Sequence, residues 1–443
     1  MSPRPRLLAA CLHVLAFVSL STALLVPRSA RAEKVIVKGD NWEVYTDGRV
    51  GAFLNYVFGD GAPVPLKMVN LPDGTVGPDI VNGGQWPVTA KNTSEGTQGK
   101  VSMMRVRSGF VGNQLGLGVR SDIYPGLKAS TYIQIWAFVE SENRSKGLPN
   151  PADIRQGYGK LEGAWGSFLA GRTRTLFSRG ATDINALYAH RWGVGFPNLV
   201  DSKGPTQGMV GFGVLGSGFG AGMIYGSPVL AGFQLNVGVF DPTALAAGGW
   251  TRTELARPEA ELTFERGFGG GFGKVVAFVN GAYQKVYKPG ACVASAATGP
   301  CDETAAGVGA GARLELGPVH LGVAGHRGKG LGLSYALEQS YAAMDSLNNL
   351  RTFDGLYVQS QVVINRFDLF AGWGITRVFL TPLDLTQGQY SNIKNQTGIN
   401  GGVVFNLSPN IHFDLEYFRA QAHWFLGEQQ TLNSVASGMT VNW

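Results

Sequence analysis

The stretch "IHFDLEYF", residues 411–418, alternates without a break. Ile411, Phe413, Leu415 and Tyr417 fall on one face of an extended chain; His412, Asp414, Glu416 and Phe418 fall on the other. Successive side chains of a strand point to opposite faces, so this is a strand with one apolar and one largely polar face. In a water-soluble sandwich the apolar face turns inward. In a barrel that crosses a bilayer it turns outward to lipid. The fold rests on which of these holds.

Composition favours a large β structure. Gly accounts for 64 of 443 residues, charged residues for 15% and aromatic residues for 11%. Ordinary globular chains carry about 7% Gly and about 25% charge. Disorder is excluded, because it needs high charge and few aromatics. The formal charge of +6 overstates the basic character. Four of the 37 basic residues (Arg4, Arg6, Arg28, Arg31) precede residue 33, which leaves 33 basic against 31 acidic residues, a balance of +2. That balance gives no footing for nucleic-acid binding.

Residues 1–32 read as an export signal. Arg4 and Arg6 form a basic start, residues 7–26 an apolar segment, and Ala30-Arg31-Ala32 a small-x-small cleavage site. The expected organisation is therefore a signal peptide over 1–32 and one β domain over 33–443. Cys11 lies too close to the start to follow a full apolar segment, which argues against a lipid anchor there. Beyond residue 32 no apolar run approaches the ~18 residues of a membrane helix. If the mature chain crosses a membrane, it does so as a closed barrel.

Sixteen candidate strands follow, at about 42–57, 101–120, 127–141, 153–162, 167–174, 209–226, 232–241, 258–266, 274–287, 305–316, 319–326, 353–363, 367–378, 397–407, 410–422 and 430–443. Their connectors alternate in length. Residues 122–126, 162–167, 317–320, 364–367 and 407–410 are tight turns rich in Pro, Gly, Asn and Asp, whereas 58–100, 175–208, 286–304, 327–352 and 379–396 are long. A sandwich has no reason to place its long loops at alternate connections. An outer-membrane barrel does, with short turns in the periplasm and long loops outside. The chain also closes on Trp443, in phase with Met439 and Val441. The expected fold is an all-β transmembrane antiparallel barrel of about sixteen strands, with the face of His412, Asp414 and Glu416 turned to water inside.

Two stretches carry a family resemblance. "NQLGLGVRSDIYPGLKA" (113–129) has Leu115-Gly116, Asp122 and Gly126-Leu127-Lys128-Ala129 at characteristic spacing. "RQGYGKLEGAWGSFLAGR" (155–172) has Arg155, Gln156, Tyr158, Leu161, Gly163, Trp165, Gly166, Gly171 and Arg172. Together they resemble the second to fifth strands of the Gram-negative general porins. The resemblance implies a water-filled, usually trimeric channel in the outer membrane, among lipid and lipopolysaccharide. It implies passive diffusion of small hydrophilic solutes and ions and calls for no cofactor. It also implies that the loop after the fifth strand, about 175–208, folds into the barrel, with loop acids facing a basic wall. Pore-lining candidates are then Arg155, Arg172, Arg174, Arg179, Asp183, His190 and Arg191. The loop offers Asp183 and Asp201 against Arg179, Arg191 and Lys203. So thin an acidic side points to weak selectivity with a tilt toward anions.

An enzyme would need a nucleophile beside a base and an orienting acid. His412 and Asp414 only share the polar face of one strand, and no serine motif accompanies them. "GFGGGFGK" (267–274) lacks the Ser/Thr and helix of a phosphate loop and reads as a turn. An adhesin or structural barrel is disfavoured because a sixteen-strand wall is too wide for side chains to fill. A channel selective for sugars or organic anions is the closest rival, with Tyr132 and Trp136 sharing one face. Cys292 and Cys301, in "ACVASAATGPC", are expected to pair across a local loop in an oxidising compartment.

Two outcomes are expected. Intact-mass measurement of the membrane fraction should give a chain starting at Glu33; an uncleaved Met1 chain would refute the signal assignment. Thiol labelling of unreduced protein should leave Cys292 and Cys301 unmodified, and full labelling of both would exclude the bond.

Overall fold

The computed structural model describes residues 33–60, 68–70, 76–78, 100–137, 152–185, 206–243, 250, 253–288, 294, 299–337, 343–387, 393–425, 427 and 429–443. In chain order the elements begin with β1 (Lys34–Lys38), β2 (Trp42–Asp60), β3 (Met68–Asn70), β4 (Val76–Pro78), β5 (Lys100–Arg107) and β6 (Asn113–Tyr124). They continue with β7 (Leu127–Ala137), β8 (Ala152–Gly163), β9 (Gly166–Arg174), α1 (Arg179–Asn185), β10 (Phe219–Gly226), β11 (Phe233–Phe240) and β12 (Arg257–Phe268). The remainder are β13 (Gly273–Tyr287), β14 (Asp302–Leu316), β15 (Val319–Lys329), β16 (Thr352–Ile364), β17 (Phe367–Phe379), α2 (Pro382–Gln387), β18 (Ile393–Asn406), β19 (Ile411–Trp424) and β20 (Gln429–Asn442).

Each strand from β6 to β20 pairs antiparallel with its successor, and β20 returns to β2, from Arg49 opposite Asn442 to Gly59 opposite Leu432. On its other edge β2 pairs with β5 over Phe53–Asp60 and with β6 over Trp42–Arg49. β5 and β6 are thus two halves of one wall position, interrupted at 108–112. The result is a closed barrel of sixteen strands, with β1 added as a short strand beside the start of β2 and β3–β4 forming a separate hairpin.

The faces follow the alternation read from the sequence. On β19, Phe413, Leu415 and Tyr417 are 41%, 50% and 42% exposed, while His412, Asp414, Glu416 and Phe418 are buried. The same division holds on β11, where Phe233, Leu235, Val237 and Val239 are exposed and Asn236 is buried. Outward apolar side chains are the surface a bilayer covers. Aromatic pairs collect at the short-turn end of the barrel: Phe233–Phe264 at 4.5 Å, Phe367–Phe405 at 5.1 Å and Trp165–Tyr225 at 6.3 Å. They form the amphipathic girdle expected at a membrane interface. The turns there are chemically specified. Pro125 precedes Gly126, whose φ of 82° is the left-handed geometry of the third position of a type II turn.

Three expectations need correction. The strand expected at 209–226 begins only at Phe219. "GMVGFGVLGSG" (208–218) alternates like a strand, but Gly208, Gly211 and Gly213 take φ of 57°, 88° and 90°, which fold the segment into turns. The strand expected at 101–120 is the interrupted pair β5–β6, and β1 was not foreseen. Cys292 lies outside the described residues. Cys301 stands at the base of its loop, its carbonyl accepting from the Lys288 N–H at 3.0 Å.

An apolar core lies inside the barrel. Phe212, Val214 and Leu215 are wholly buried and cluster with Leu331, Leu333 and Leu350 of the β15–β16 loop and with the inward wall residues Phe353, Tyr357 and Phe418. Phe212 meets Phe418 edge-on at 5.1 Å. The segment is seated in a glycine slot. A Cβ on Gly374 of β17 would strike the Phe212 carbonyl, one on Gly398 of β18 the Phe212 side chain, and one on Gly213 the backbone of β16. Gly213 N–H donates to Thr376 Oγ1 at 2.8 Å. Above it, Arg351 donates from Nε and Nη2 to the two oxygens of Asp384 on α2, at 2.8 and 2.7 Å, in a buried bidentate pair that ties two long loops together.

Gly374→Val should unseat this segment, because the obstructing atom is backbone and cannot swing away. Overpacking of this kind costs ~1–3 kcal/mol. The temperature at which the folded band converts to the unfolded one in electrophoresis should fall. Gly218→Ala, with nothing within 4 Å of its Cβ, should leave that temperature unchanged.

Candidate functional site

The wall of β7–β9 carries a connected row of rings and amides. Tyr132 and Gln134 point inward on β7 between the outward Ile133 and Ile135. Tyr132 lies 6.3 Å from Tyr45 and 5.6 Å from Tyr158, ring centre to ring centre. Its hydroxyl donates to Asp47 Oδ1 at 2.8 Å and accepts from Gln134 Nε2 at 3.1 Å. Gln134 Oε1 in turn accepts from Trp136 Nε1 at 2.9 Å and Gln156 Nε2 at 3.0 Å, and Gln156 Oε1 from Thr173 Oγ1 at 3.1 Å. Each of these side chains finds a partner along the wall, which fixes the rotamers.

A β-bulge places Arg155. Gln134 faces Gln156, but the next residue, Ile135, faces Ile154, so Arg155 is the extra residue of β8. Bulges re-aim side chains, and Arg155 stands at this one. Arg155 Nε pairs with Asp153 Oδ2 at 2.7 Å, and the guanidinium carbon lies 4.8 Å from the Trp136 ring centre and 5.6 Å from that of Phe219.

The loop after β9 turns into the barrel. Thr175 N–H donates to the Gly218 carbonyl at 3.0 Å and closes its base. Phe177 N–H donates to Glu259 Oε2 at 2.8 Å, Arg179 pairs with Glu261, and Gly180 leaves room for the Phe278 ring. These contacts tie the entry of α1 to β12, and the helix lies against β13, β14 and β15. Arg174, the last residue of β9, pairs with Asp183 Oδ1 at 2.8 Å and donates to Ser217 Oγ at 3.3 Å and to the Arg179 carbonyl at 3.4 Å. Glu259 also receives Arg257 Nε at 2.8 Å.

Of the expected pore-lining residues, the structure brings Arg174, Arg179 and Asp183 together, while Arg155 pairs separately with Asp153. Arg172 is exposed on β9, opposite Gly157 and Ala221; among the described residues it joins none of these ion pairs. His190 and Arg191 lie outside the described residues, as do Asp201 and Lys203. In the described part, acids do not simply face a basic wall. The loop contributes Arg179 to wall carboxylates, and each arginine of the group has a carboxylate of its own.

Several inward charges were not singled out from sequence: Glu259 and Glu261 on β12, Arg49 on β2, and Arg105 and Arg107 on β5. Their alternation with Ala260 and Leu262, or with Met104 and Val106, was a readable signal of the face. Nothing in it gives their height in the barrel, which depends on register. Arg107 is buried, whereas Arg105 is exposed.

The sequence matches the family model described as Gram-negative porin over residues 19–422. No curated protein matches it. Among solved structures it is similar to the outer membrane channel DcaP of Acinetobacter baumannii (TM-score 0.61, 16% identity, covering 93% of this chain and 100% of that one). It is also similar to an anion-selective porin from Comamonas acidovorans (0.56, 13%, 91% and 100%) and to Salmonella typhi OmpF in complex with daunomycin (0.51, 12%, 92% and 99%). At these identities the likeness speaks to the fold. With the family model spanning most of the chain, the closed sixteen-stranded barrel and the infolded loop, the protein belongs to the Gram-negative porin family and is an outer-membrane channel.

Proposed function

We propose that this outer-membrane porin passes small hydrophilic solutes and ions by passive diffusion, with weak selectivity tilted toward anions, and that it works as a homotrimer. The observation that carries the reading is the local pairing of charge: Arg155 with Asp153, Arg174 with Asp183, Arg179 with Glu261. Paired charges have short-range fields, and in a wide aqueous pore fields are screened beyond ~8 Å at physiological salt. Among the described residues strong discrimination has no source. The tilt comes from Arg105, which is exposed with its guanidinium on the Met104 carbonyl, and from Arg179, which is 25% exposed beside a Glu261 only 2% exposed; in the other two pairs the acid is the more exposed partner. A homotrimer is supported by the outward positions of β6–β8. Leu115, Leu117, Val119, Ile133, Ile135, Ile154 and Leu161 are exposed and aliphatic there, and Gly157 and Gly159 leave the surface shallow.

In a KCl gradient across a planar bilayer, Arg155→Glu should move the reversal potential toward potassium preference, and more so in dilute salt. Asp183→Asn should free Arg174 and move it toward chloride. Strong cation selectivity in the wild type, with neither substitution altering it, would reject this placement of the constriction.

A further inference from the structure

We propose that Arg327 and Arg377, on the outside of the barrel, form a clamp for the phosphate groups of lipopolysaccharide in the outer leaflet. The inference concerns the lipid-facing wall and stands apart from the diffusion reading of the lumen.

The outward positions of β15, β16 and β17 change character at one height. From the short-turn end up to Gly325, Leu356 and Ile375 they are apolar or small. The next outward position on each strand is Arg327, Asp354 and Arg377, and the three stand side by side in register. An outward arginine is costly in the middle of a bilayer and tolerated at its edge, so this row marks the limit of the hydrocarbon band. It lies toward the long connections that follow β15 and β17, the end that faces outside.

The row carries one positive charge in excess. Arg377 grips Asp354 as a fork, Nε to Oδ1 at 2.7 Å and Nη2 to Oδ2 at 2.8 Å, and Arg327 Nη1 stands 3.8 Å from the same Oδ2. Two cations thus share one carboxylate. Asp354 is 11% exposed, whereas the side chains of Arg327 and Arg377 are 66% and 56% exposed. Among the described residues Arg327 donates no hydrogen bond, and Arg377 Nη1 has no acceptor. The nearby lysines are already matched, Lys329 with Glu303 and Lys285 with Asp302, each at 2.7 Å.

Both guanidiniums are held by one ring. Their central carbons lie 5.4 and 5.8 Å from the centre of Phe379, the next outward residue of β17. Such contact with a ring leaves in-plane N–H groups available, and a guanidinium fork matches the oxygens of a phosphate. Below the row, Val323, Leu356, Val358 and Trp373 are exposed and offer apolar surface to acyl chains. Phosphate donors above and hydrocarbon surface below fit a phosphorylated, acylated glycolipid. Free phosphate has no use for the lower half of the site.

The test is native mass spectrometry of the purified protein in detergent, titrated with bisphosphorylated lipid A, dephosphorylated lipid A or phosphatidylglycerol. The bisphosphorylated form should bind about ten-fold or more tighter than the dephosphorylated one. Arg327→Gln should weaken it roughly five-fold, the scale of one charge-assisted contact, and Arg327→Gln with Arg377→Gln further. Arg327→Gln breaks no hydrogen bond among the described residues, and the folded band in electrophoresis verifies the barrel. Lys274→Gln, a cation at the short-turn end paired with Glu265, should leave binding unchanged. The clamp is refuted if both forms of lipid A bind alike, if phosphatidylglycerol binds as tightly, or if the arginine variants bind lipid A as the wild type does. It is also refuted if those variants lose a second copy of this chain rather than lipid.

Discussion

Closure of the backbone hydrogen-bond ladder is the constraint on which the rest of the structure depends. No water is available inside a bilayer to satisfy an open strand edge, so a sheet that crosses it must return to its own first strand. Here β20 lies along β2, and the ends lock as Gly48 N–H donates to the Trp443 carbonyl at 2.9 Å and Trp443 N–H to the Gly48 carbonyl at 3.0 Å. The terminal residue is thereby part of the seam. With the edge removed, every other position on every strand faces hydrocarbon. Apolar side chains occupy those outward positions, and the inward ones carry a mostly polar set together with an apolar cluster.

That interior differs from a plain aqueous tube. One side is filled by buried apolar side chains seated against glycines of the wall, much as in the core of a soluble domain. The other, along β7–β9, is lined by tyrosines, glutamines and paired charges with water access. The loop packs because Gly374 and Gly398 let its backbone approach the strands.

Much of the architecture was legible in the chain. Alternation placed Phe413, Leu415 and Tyr417 outward and Asp414 and Glu416 inward, because a period of two leaves no freedom once one face must meet lipid. The tight turns marked one end of the barrel through Pro125, Gly126 and Asn365, whose backbone preferences act locally. Misreadings came where local pattern and tertiary role part company. Residues 208–218 alternate Gly with apolar residues, yet they pack inside the lumen, where both faces are buried and the glycines supply turns rather than extended chain. Arg155 was identified through motif, but its bulge could not be, since a one-residue slip exists only relative to a neighbouring strand.

The amino-acid sequence by itself determined that this chain is a barrel of sixteen strands, which face of each strand meets lipid, and which end carries the long loops. Those follow from periodicity and turn chemistry, which are properties of neighbouring residues. Only the tertiary structure decided that Arg174 meets Asp183, that Arg179 reaches Glu261 across 82 residues, and that Trp136 and Phe219 close on one guanidinium. Those contacts are set by strand register and by the path of a loop through the lumen, and neither is written in any short stretch of chain.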